Sequence, residues 1–139
     1  MNATLILGPR PGKKSKDHIK GQGVTDILTL LSPREQAETI SKIAKSIGAA
    51  WHHFPIDGGH LETLSKVDPA RLFLIYDDIL RTAGTDEPVI YLHCSAGIHR
   101  TGFAIYLLLR YRGLSADAAR AEVKKLRPVT SEQVGEDRI

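Results

Sequence analysis

The feature that most restricts how this chain can fold is one stretch of its second half, VIYLHCSAGIHRTGFAIYLLLRY, residues 89–111. Residues 89–93 are apolar at nearly every position, which predicts a strand buried on both faces in the middle of a parallel sheet. From about Arg100 to Arg112 the residues are apolar around most of a helical circumference, which predicts a buried helix. Only a short turn containing Gly97 separates the two elements. The chain must therefore pass directly from a central strand into a buried helix.

Strands and helices alternate along the rest of the chain. Three more strands are predicted at 3–7, 25–31 and 50–55. Further helices are predicted at 33–47, with Ser32 as its N-cap, and at 69–83 and 115–126. The polar, basic and glycine-rich segment 10–23 is predicted to be mostly loop. This alternation predicts an α/β fold, a three-layer sandwich in which helices flank a central, mostly parallel sheet of four or five strands.

Size and composition limit the class of protein. A chain of 139 residues is most simply one domain, residues 1–139. Nineteen basic against sixteen acidic residues give a net charge of +3, which does not demand a nucleic-acid partner. One cysteine cannot form an internal disulfide, the start of the chain lacks a signal-peptide pattern, and no apolar run approaches the ~20 residues of a membrane helix. We therefore expect a cytoplasmic monomer without membrane insertion.

The single cysteine, Cys94, lies where the central strand gives way to the buried helix. Ligands of parallel sheets bind beyond the carboxyl ends of strands, and amide groups at a strand-to-helix turn form a cradle for a phosphate-sized anion. Ser95, Ala96 and Gly97 leave the backbone accessible, and the planar fork of Arg100 can bind two phosphate oxygens. The same field should lower the thiol pKa from ~8.5 to ~3.5–7.5 and make Cys94 a nucleophile. The alternative is a buried structural cysteine. We prefer the reactive thiol because the glycine, the arginine and the turn coincide.

The residues around Cys94, HCSAGIHRTG at 93–102, resemble the signature loop of the cysteine-dependent protein tyrosine phosphatase superfamily, His-Cys-five residues-Arg-Ser/Thr. His99 departs from the commonest loops, which have a small residue there. The size of the chain and the place of the loop in its last third resemble the compact dual-specificity phosphatases. Two further segments, FPIDGGH and LSADAARAEVKKLRP, are similar to the kinase-associated type. The resemblance extends over residues 25–128.

The resemblance implies a role for each residue of the loop. Cys94 would attack phosphorus and form a phosphocysteine, and Thr101 would hydrogen-bond the sulfur. His93 would orient the loop, although it can equally be a buried core histidine. The phosphate would be held by the loop residues, which are Ser95, Ala96, Gly97, Ile98, His99 and Arg100. This chemistry needs no metal and no other cofactor.

The leaving group needs a proton, and Asp57 is the preferred general acid. It lies 37 positions before Cys94 in a glycine-containing loop, at the place implied by PIDGG. An aspartate before a glycine is also a common turn residue. Asp68 is the alternative acid, although an N-cap role before Pro69 explains it well enough. Asp77 and Asp78 fall within a predicted helix and are interpreted as surface charges.

Several other residues have an ordinary interpretation that we prefer. Glu35 could pair with Arg100, but a glutamate in the first turn of a helix is favoured by the helix dipole alone. Gln133 could position the hydrolytic water, but a surface glutamine is the preferred interpretation. Trp51 is interpreted as a core residue or a pocket wall. The spacing of His52, His53 and His60 matches no common metal site.

Three functions follow from these observations. The first is a phosphomonoesterase acting on phosphotyrosine, and on phosphoserine or phosphothreonine, in a protein or peptide. The second keeps the chemistry but acts on a phosphoinositide, an inositol phosphate or an RNA 5′-phosphate. The third is a phosphate-binding module without catalysis. We prefer the first two over the third because the cysteine, the arginine and a candidate acid are all present.

Overall fold

The computed structural model describes residues 3–56, 67–95 and 99–126 and confirms the α/β prediction. The strands are β1 Thr4–Gly8, β2 Asp26–Thr29, β3 Ala50–His53 and β4 Val89–His93. The helices are α1 Lys16–Gly21, α2 Glu38–Ser46, α3 Pro69–Thr82, α4 His99–Tyr111 and α5 Ala116–Leu126. A 3₁₀ turn, Pro33–Glu35, lies between β2 and α2.

The four described strands form one sheet in the order β1-β4-β2-β3, and every neighbouring pair is parallel. Residues 89–93 form β4, which pairs on both sides, with Leu92 level with Leu7 of β1 and Leu28 of β2. Because all strands run the same way, their carboxyl ends lie at one edge of the sheet. Cys94 follows β4 at the middle of that edge.

Helices cover both faces of the sheet. Side chains alternate between the faces along a strand, so Leu92 enters the larger apolar cluster while Tyr91 enters the smaller one. The larger cluster contains buried residues of α3, α4 and α5, and the smaller cluster contains buried residues of α1 and α2. The result is the three-layer sandwich that the alternation of elements predicts. No helix in the described ranges has the length and the apolar content to span a bilayer.

One prediction about the first half of the chain is incomplete and another is wrong. Segment 10–23 is mostly loop, as predicted, but it also contains the short helix α1, whose buried Ile19 packs in the smaller cluster. The helix predicted from residue 33 is interrupted, since Gln36 has a φ of 59° and α2 begins only at Glu38. A left-handed residue ends a helix, and tertiary contacts to the backbone of the 3₁₀ turn, described below, stabilise this break.

Candidate active site

The turn from β4 to α4 holds the thiol against the first turn of the helix. Cys94 is 3% exposed, and Thr101 is completely buried. The Thr101 hydroxyl donates a hydrogen bond to Cys94 Sγ, with 3.2 Å between oxygen and sulfur. A donor aimed at sulfur stabilises the thiolate relative to the thiol. The strand-to-helix geometry predicted around Cys94 is therefore present on both sides of the loop.

Arg100 lies beside this thiol and is held in one orientation. Its Nη1 donates to Glu35 Oε1 at 2.6 Å and to the carbonyl of Ile56 at 2.9 Å. Its Nη2 donates to Glu35 Oε2 at 2.9 Å and to Ser95 Oγ at 3.0 Å. The hydrogen bond with Glu35 is the largest cause of a raised Arg100 pKa, and the negative charge of Cys94 acts in the same direction. Arg100 is thus a buried, fixed cation next to the thiol.

Glu35 has a larger part in the site than its preferred sequence interpretation predicts. Its carboxylate accepts the fork of Arg100 and also accepts from the backbone and hydroxyl of Ser32, at 2.9 and 3.0 Å. The hydrogen bond with Arg100 is the largest cause that lowers the Glu35 pKa to about 2. Our preferred interpretation, a first-turn carboxylate, is therefore incomplete. The capping box of Ser32 and Glu35 was the available signal, because it turns the carboxylate back towards the strand ends.

His93 is fully buried at the end of β4 and contacts groups on both sides of its ring. Its Nε2 lies 2.8 Å from Thr29 Oγ1, and its Nδ1 lies 3.4 Å from the carbonyl oxygen of Cys94. Burial is the largest cause that lowers the His93 pKa to about 4, so the imidazole is neutral near pH 7. The indole of Trp51, which the sequence predicts only as a core residue or a pocket wall, also donates to Thr29 Oγ1, at 2.8 Å.

The loop that follows β1 is attached to the 3₁₀ turn. Arg10 donates through Nη1 to the carbonyl of Glu35 at 2.6 Å. Its Nη2 donates to the carbonyl of Gln36 at 3.0 Å and to Thr39 Oγ1 at 2.9 Å. These contacts bind the turn that carries Glu35 and so fix the partner of Arg100 from the opposite side.

A close contact also fixes the end of β1 against β4. Tyr91 donates its hydroxyl to the carbonyl of Pro9 at 2.7 Å. A Cβ atom placed on Gly8 would lie 2.2 Å from that hydroxyl oxygen. Gly8 is therefore required by a close approach, and the pair determines where the loop towards Arg10 begins.

Several predicted site residues lie outside the described residues. They are Asp57, Ala96, Gly97, Ile98 and Gln133, and only the backbone of His99 is described. The alternative acid, Asp68, accepts a hydrogen bond from the backbone of Ala70 at 3.1 Å, as the predicted N-cap of α3. Asp77 and Asp78 are exposed on α3, as expected of surface charges.

In the part of the chain that the structure covers, His52 and His53 bind other protein groups and form no metal site. His52 Nε2 lies 2.8 Å from Asp26 Oδ2, and His53 Nε2 lies 2.6 Å from the carbonyl of Leu31. Within the described ranges no group of three or more potential ligand side chains could hold an ion. His60 lies outside those ranges.

The chain matches a family model described as the tyrosine phosphatase family over residues 10–124. No curated protein sequence matches it significantly. Among solved structures it is similar to kinase associated phosphatase with its catalytic-site cysteine replaced by serine, at 20% identity, a TM-score of 0.69, and coverage of 91% of this chain and 75% of that one. It is also similar to PTPMT1, at 20% identity, a TM-score of 0.68, and coverage of 89% and 78%. A third similar structure is TpbA from P. aeruginosa in complex with phosphotyrosine, at 20% identity, a TM-score of 0.60, and coverage of 87% and 67%. At these identities the structural likeness establishes the shared fold.

Proposed function

This chain belongs to the tyrosine phosphatase family, and we propose that it is a cysteine-dependent phosphomonoesterase acting on phosphotyrosine, and on phosphoserine or phosphothreonine, in proteins or peptides. One observation carries the proposal, namely the hydrogen bond from Thr101 to Cys94 Sγ at 3.2 Å. A structural cysteine in an apolar core gains little from a hydroxyl directed at its sulfur. A nucleophile that must be a thiolate gains directly from it.

In the first step the Cys94 thiolate attacks phosphorus on the side opposite the ester oxygen. The sulfur–phosphorus bond forms as the phosphorus–oxygen bond breaks, and Asp57 gives its proton to the departing oxygen. Arg100 and the amides of the loop hold the remaining phosphoryl oxygens through the transition state. The product is a phosphocysteine and a free hydroxyl group.

In the second step water attacks the phosphocysteine. Asp57, now a carboxylate, takes a proton from the water as its oxygen bonds to phosphorus. The sulfur–phosphorus bond breaks, and the hydrogen bond from Thr101 stabilises the thiolate that leaves. Inorganic phosphate departs, and both catalytic groups return to their starting protonation states.

The contacts of Arg100 support its role as the phosphate-binding residue. Glu35 accepts from both terminal nitrogens and fixes the plane of the guanidinium. The bond from Nη2 to the exposed Ser95 hydroxyl is the contact that a phosphate oxygen would replace. Because the side chain is already ordered before substrate binds, little conformational entropy is lost on binding.

Phosphotyrosine is the preferred substrate group because the similar P. aeruginosa structure holds it. A phosphoinositide, an inositol phosphate or an RNA 5′-phosphate would require the same chemistry. One observation favours such polyanions, since residues 10–20 begin just beyond β1 and contain five basic residues against one acidic residue. We further propose a single catalytic domain that works as a cytoplasmic monomer.

Turnover of p-nitrophenyl phosphate in excess EDTA tests the reaction class. Wild-type protein should hydrolyse it, and Cys94→Ser should abolish turnover while still binding vanadate. A requirement for added metal would contradict a thiolate mechanism. Retained activity in Cys94→Ser would contradict the nucleophile.

A second experiment addresses the acid and the substrate. Asp57→Ala should lower kcat about 100-fold and change KM much less. The matched control is Asp68→Ala, which removes only an N-cap, and the reverse outcome would transfer the role to Asp68. A panel of phosphotyrosine and phosphothreonine peptides, phosphoinositides and 5′-phosphorylated RNA then identifies the substrate class by kcat/KM.

A further inference from the structure

Three side chains from three strands form a hydrogen-bonded chain that ends at the nucleophile. Trp51 on β3 donates its indole N–H to Thr29 Oγ1 at 2.8 Å. Thr29, at the end of β2, lies 2.8 Å from His93 Nε2, and His93 Nδ1 faces the carbonyl oxygen of Cys94 at 3.4 Å. Thr29 and His93 are both completely buried.

From this geometry we propose that Trp51 is a positioning residue, which acts through Thr29 to hold His93 as the neutral tautomer with its hydrogen on Nδ1. The consequence for turnover rests on the proposed function. The tautomer itself is a property of the folded chain, and it can be measured without any substrate.

The numbers of donors and acceptors decide the tautomer. An indole N–H can only donate, so Thr29 Oγ1 must accept from Trp51. Thr29 then has one hydrogen of its own, and His93 Nε2 is the other group within hydrogen-bond distance of Oγ1 among the described residues. If that hydrogen is donated to Nε2, the histidine hydrogen must sit on Nδ1. There it faces an acceptor, the carbonyl oxygen of Cys94.

The other protonation states of His93 leave buried groups unsatisfied. A hydrogen on Nε2 would donate to Thr29 and deprive the threonine hydrogen of that acceptor. In the neutral form with hydrogen on Nε2, the lone pair of Nδ1 would also face the Cys94 oxygen. The imidazolium is disfavoured further by burial and by the positive charges of Arg10 and Arg100. Buried polar groups without partners are costly, so the Nδ1–H form is selected.

The position of the Cys94 carbonyl matters for the phosphate cradle. The carbonyl of Cys94 and the N–H of Ser95 belong to one planar trans peptide and point in opposite directions. A donor from His93 that holds the carbonyl towards the core therefore directs the Ser95 N–H away from His93. That amide is the first one after the nucleophile, and it is available to a phosphoryl oxygen. Trp51 thus acts on the cradle through two intervening side chains.

Nitrogen NMR of protein labelled with ¹⁵N-histidine tests this proposal directly. In the wild type, His93 Nδ1 should have the shift of a protonated ring nitrogen and Nε2 that of an unprotonated one. Trp51→Phe removes the indole N–H but keeps an aromatic ring, which can still stack on His53, whose ring centroid lies 5.3 Å away. Water can then take the place of the indole N–H at this half-buried position and accept the hydrogen of Thr29, so the hydroxyl can satisfy either tautomer. We expect a measurable Nε2–H fraction and a kcat about tenfold lower with p-nitrophenyl phosphate.

A matched control separates this effect from loss of packing. Ile47 lies against the same apolar cluster as Trp51. Ile47→Val removes one methylene and no hydrogen bond, so the shifts of His93 and the value of kcat should remain those of the wild type. A second pair of variants changes Thr29 and leaves Trp51 in place. Thr29→Ser keeps the hydroxyl and should keep His93 in the Nδ1–H form. Thr29→Val removes the hydroxyl and should allow the Nε2–H form as well.

Three results would overturn the proposal. The first is a wild-type His93 that carries its hydrogen on Nε2 or is charged at neutral pH. The second is a Trp51→Phe variant that keeps the wild-type ¹⁵N shifts and kcat. The third is an Ile47→Val variant that shows the same changes as Trp51→Phe. A wild-type protein that hydrolyses no phosphate ester would instead contradict the proposed function. The ¹⁵N shifts would still decide the tautomer in that case.

Discussion

At the scale of single residues, the site depends on groups that come together from very different distances along the chain. Thr101 and Arg100 lie seven and six positions after Cys94, so one turn and the start of one helix are enough to position them. Glu35 lies 65 positions before Arg100 and contacts it only because β2 and β4 are neighbours. Thr101, which is close in sequence, should set the pKa of the Cys94 thiol, and Glu35, which is distant in sequence, should set the orientation of Arg100.

Replacing Thr101 tests the tuning of the thiol. Thr101→Val keeps the shape of the side chain but removes the donor to Cys94 Sγ. Because a hydrogen bond to the charged form lowers a thiol pKa, its loss should raise the pKa. The pH midpoint of alkylation by iodoacetamide should therefore move upward, and kcat near pH 7 should fall about tenfold.

Thr101→Ser is the control for this prediction, since it keeps the hydroxyl. It should retain an alkylation midpoint close to that of the wild type. Equal midpoints in the valine and serine variants would show that the hydroxyl does not stabilise the thiolate.

Separation along the sequence also explains which parts of the site could be predicted. Cys94, Arg100 and Thr101 could be predicted as one group because the ten adjacent residues that contain them resemble a known signature loop. Glu35 and Trp51 could not be assigned, because their partners depend on the order of strands in the sheet. Sequence spacing carries no information about that order here. Asp57 remains a prediction.

At the scale of elements, the 3₁₀ turn Pro33–Glu35 is held from two sides. Arg10 binds its backbone from the loop after β1, and Arg100 binds its Glu35 side chain from the first turn of α4. The turn therefore contacts both the loop that follows β1 and the first turn of α4. Its sequence, with serine before proline and glutamate at the third position, resembles an ordinary helix start. For that reason the break at Gln36 was missed.

Glu35→Gln should destabilise the protein and misplace Arg100. Loss of one partner of a partly buried ion pair should lower the free energy of unfolding by about 2 kcal/mol near pH 6, and kcat should fall about tenfold. The Glu35 pKa falls from 4.5 to about 2 on folding, so its stabilisation is present above pH 4.5 and is lost as the pH falls towards 2. The difference between the two proteins should therefore shrink at about pH 3.

Urea unfolding at both pH values measures this difference. Glu38→Gln is the control, because Glu38 is an exposed carboxylate in the first turn of α2. It should change the free energy of unfolding by less than about 0.5 kcal/mol. A difference between wild type and Glu35→Gln that grows as the pH falls would contradict the assigned ion pair.

Gly8→Ala tests the contact between β1 and β4. The added methyl group would meet the Tyr91 ring, so the strands must shift or the tyrosine must leave its position. We expect a loss of about 1–3 kcal/mol, measured by thermal unfolding. Gly84→Ala is the control, since nothing lies within 4 Å of its added Cβ atom. A similar loss in both variants would mean that the Tyr91 contact does not determine the effect.

A helix or strand is predicted accurately when its own residues determine its structure, and less accurately when packing against distant residues stabilises it. β4 was predicted with its observed bounds, because five nearly continuous apolar residues have no stable position except inside a sheet. α1 was missed because a six-residue helix with one buried side chain has no detectable period. It is stabilised by the packing of Ile19 against the sheet, which only the folded chain reveals.

At the scale of the whole molecule, positive charge is concentrated near the site. Residues 10–20 have a net charge of +4, whereas the whole chain has a net charge of +3. This segment follows β1, which lies next to β4 and the thiol. The field of the protein should therefore attract anions towards the carboxyl edge of the sheet.

This field predicts a salt dependence of kcat/KM. For an anionic phosphorylated substrate, kcat/KM should fall as ionic strength rises from about 0.01 M to about 0.15 M, because the screening length shrinks from about 30 Å to about 8 Å. The double variant Lys13→Gln/Lys14→Gln should have a lower value at low salt and a weaker dependence on salt. Lys45→Gln is the control, because Lys45 lies in the last turn of α2, towards the opposite edge of the sheet. An equal effect of both changes would contradict a local field.

The strand order also determines when a newly synthesised chain can acquire this site. Among the described strands, β1 pairs only with β4, and 80 residues separate the end of β1 from the start of β4. During translation β1 therefore lacks this partner until residues 89–93 have emerged from the ribosome and inserted between β1 and β2. Contacts between such distant segments form late. A truncated polypeptide that ends before β4 would deprive β1 of this partner and would lack Cys94, so the proposed nucleophile appears only together with β4.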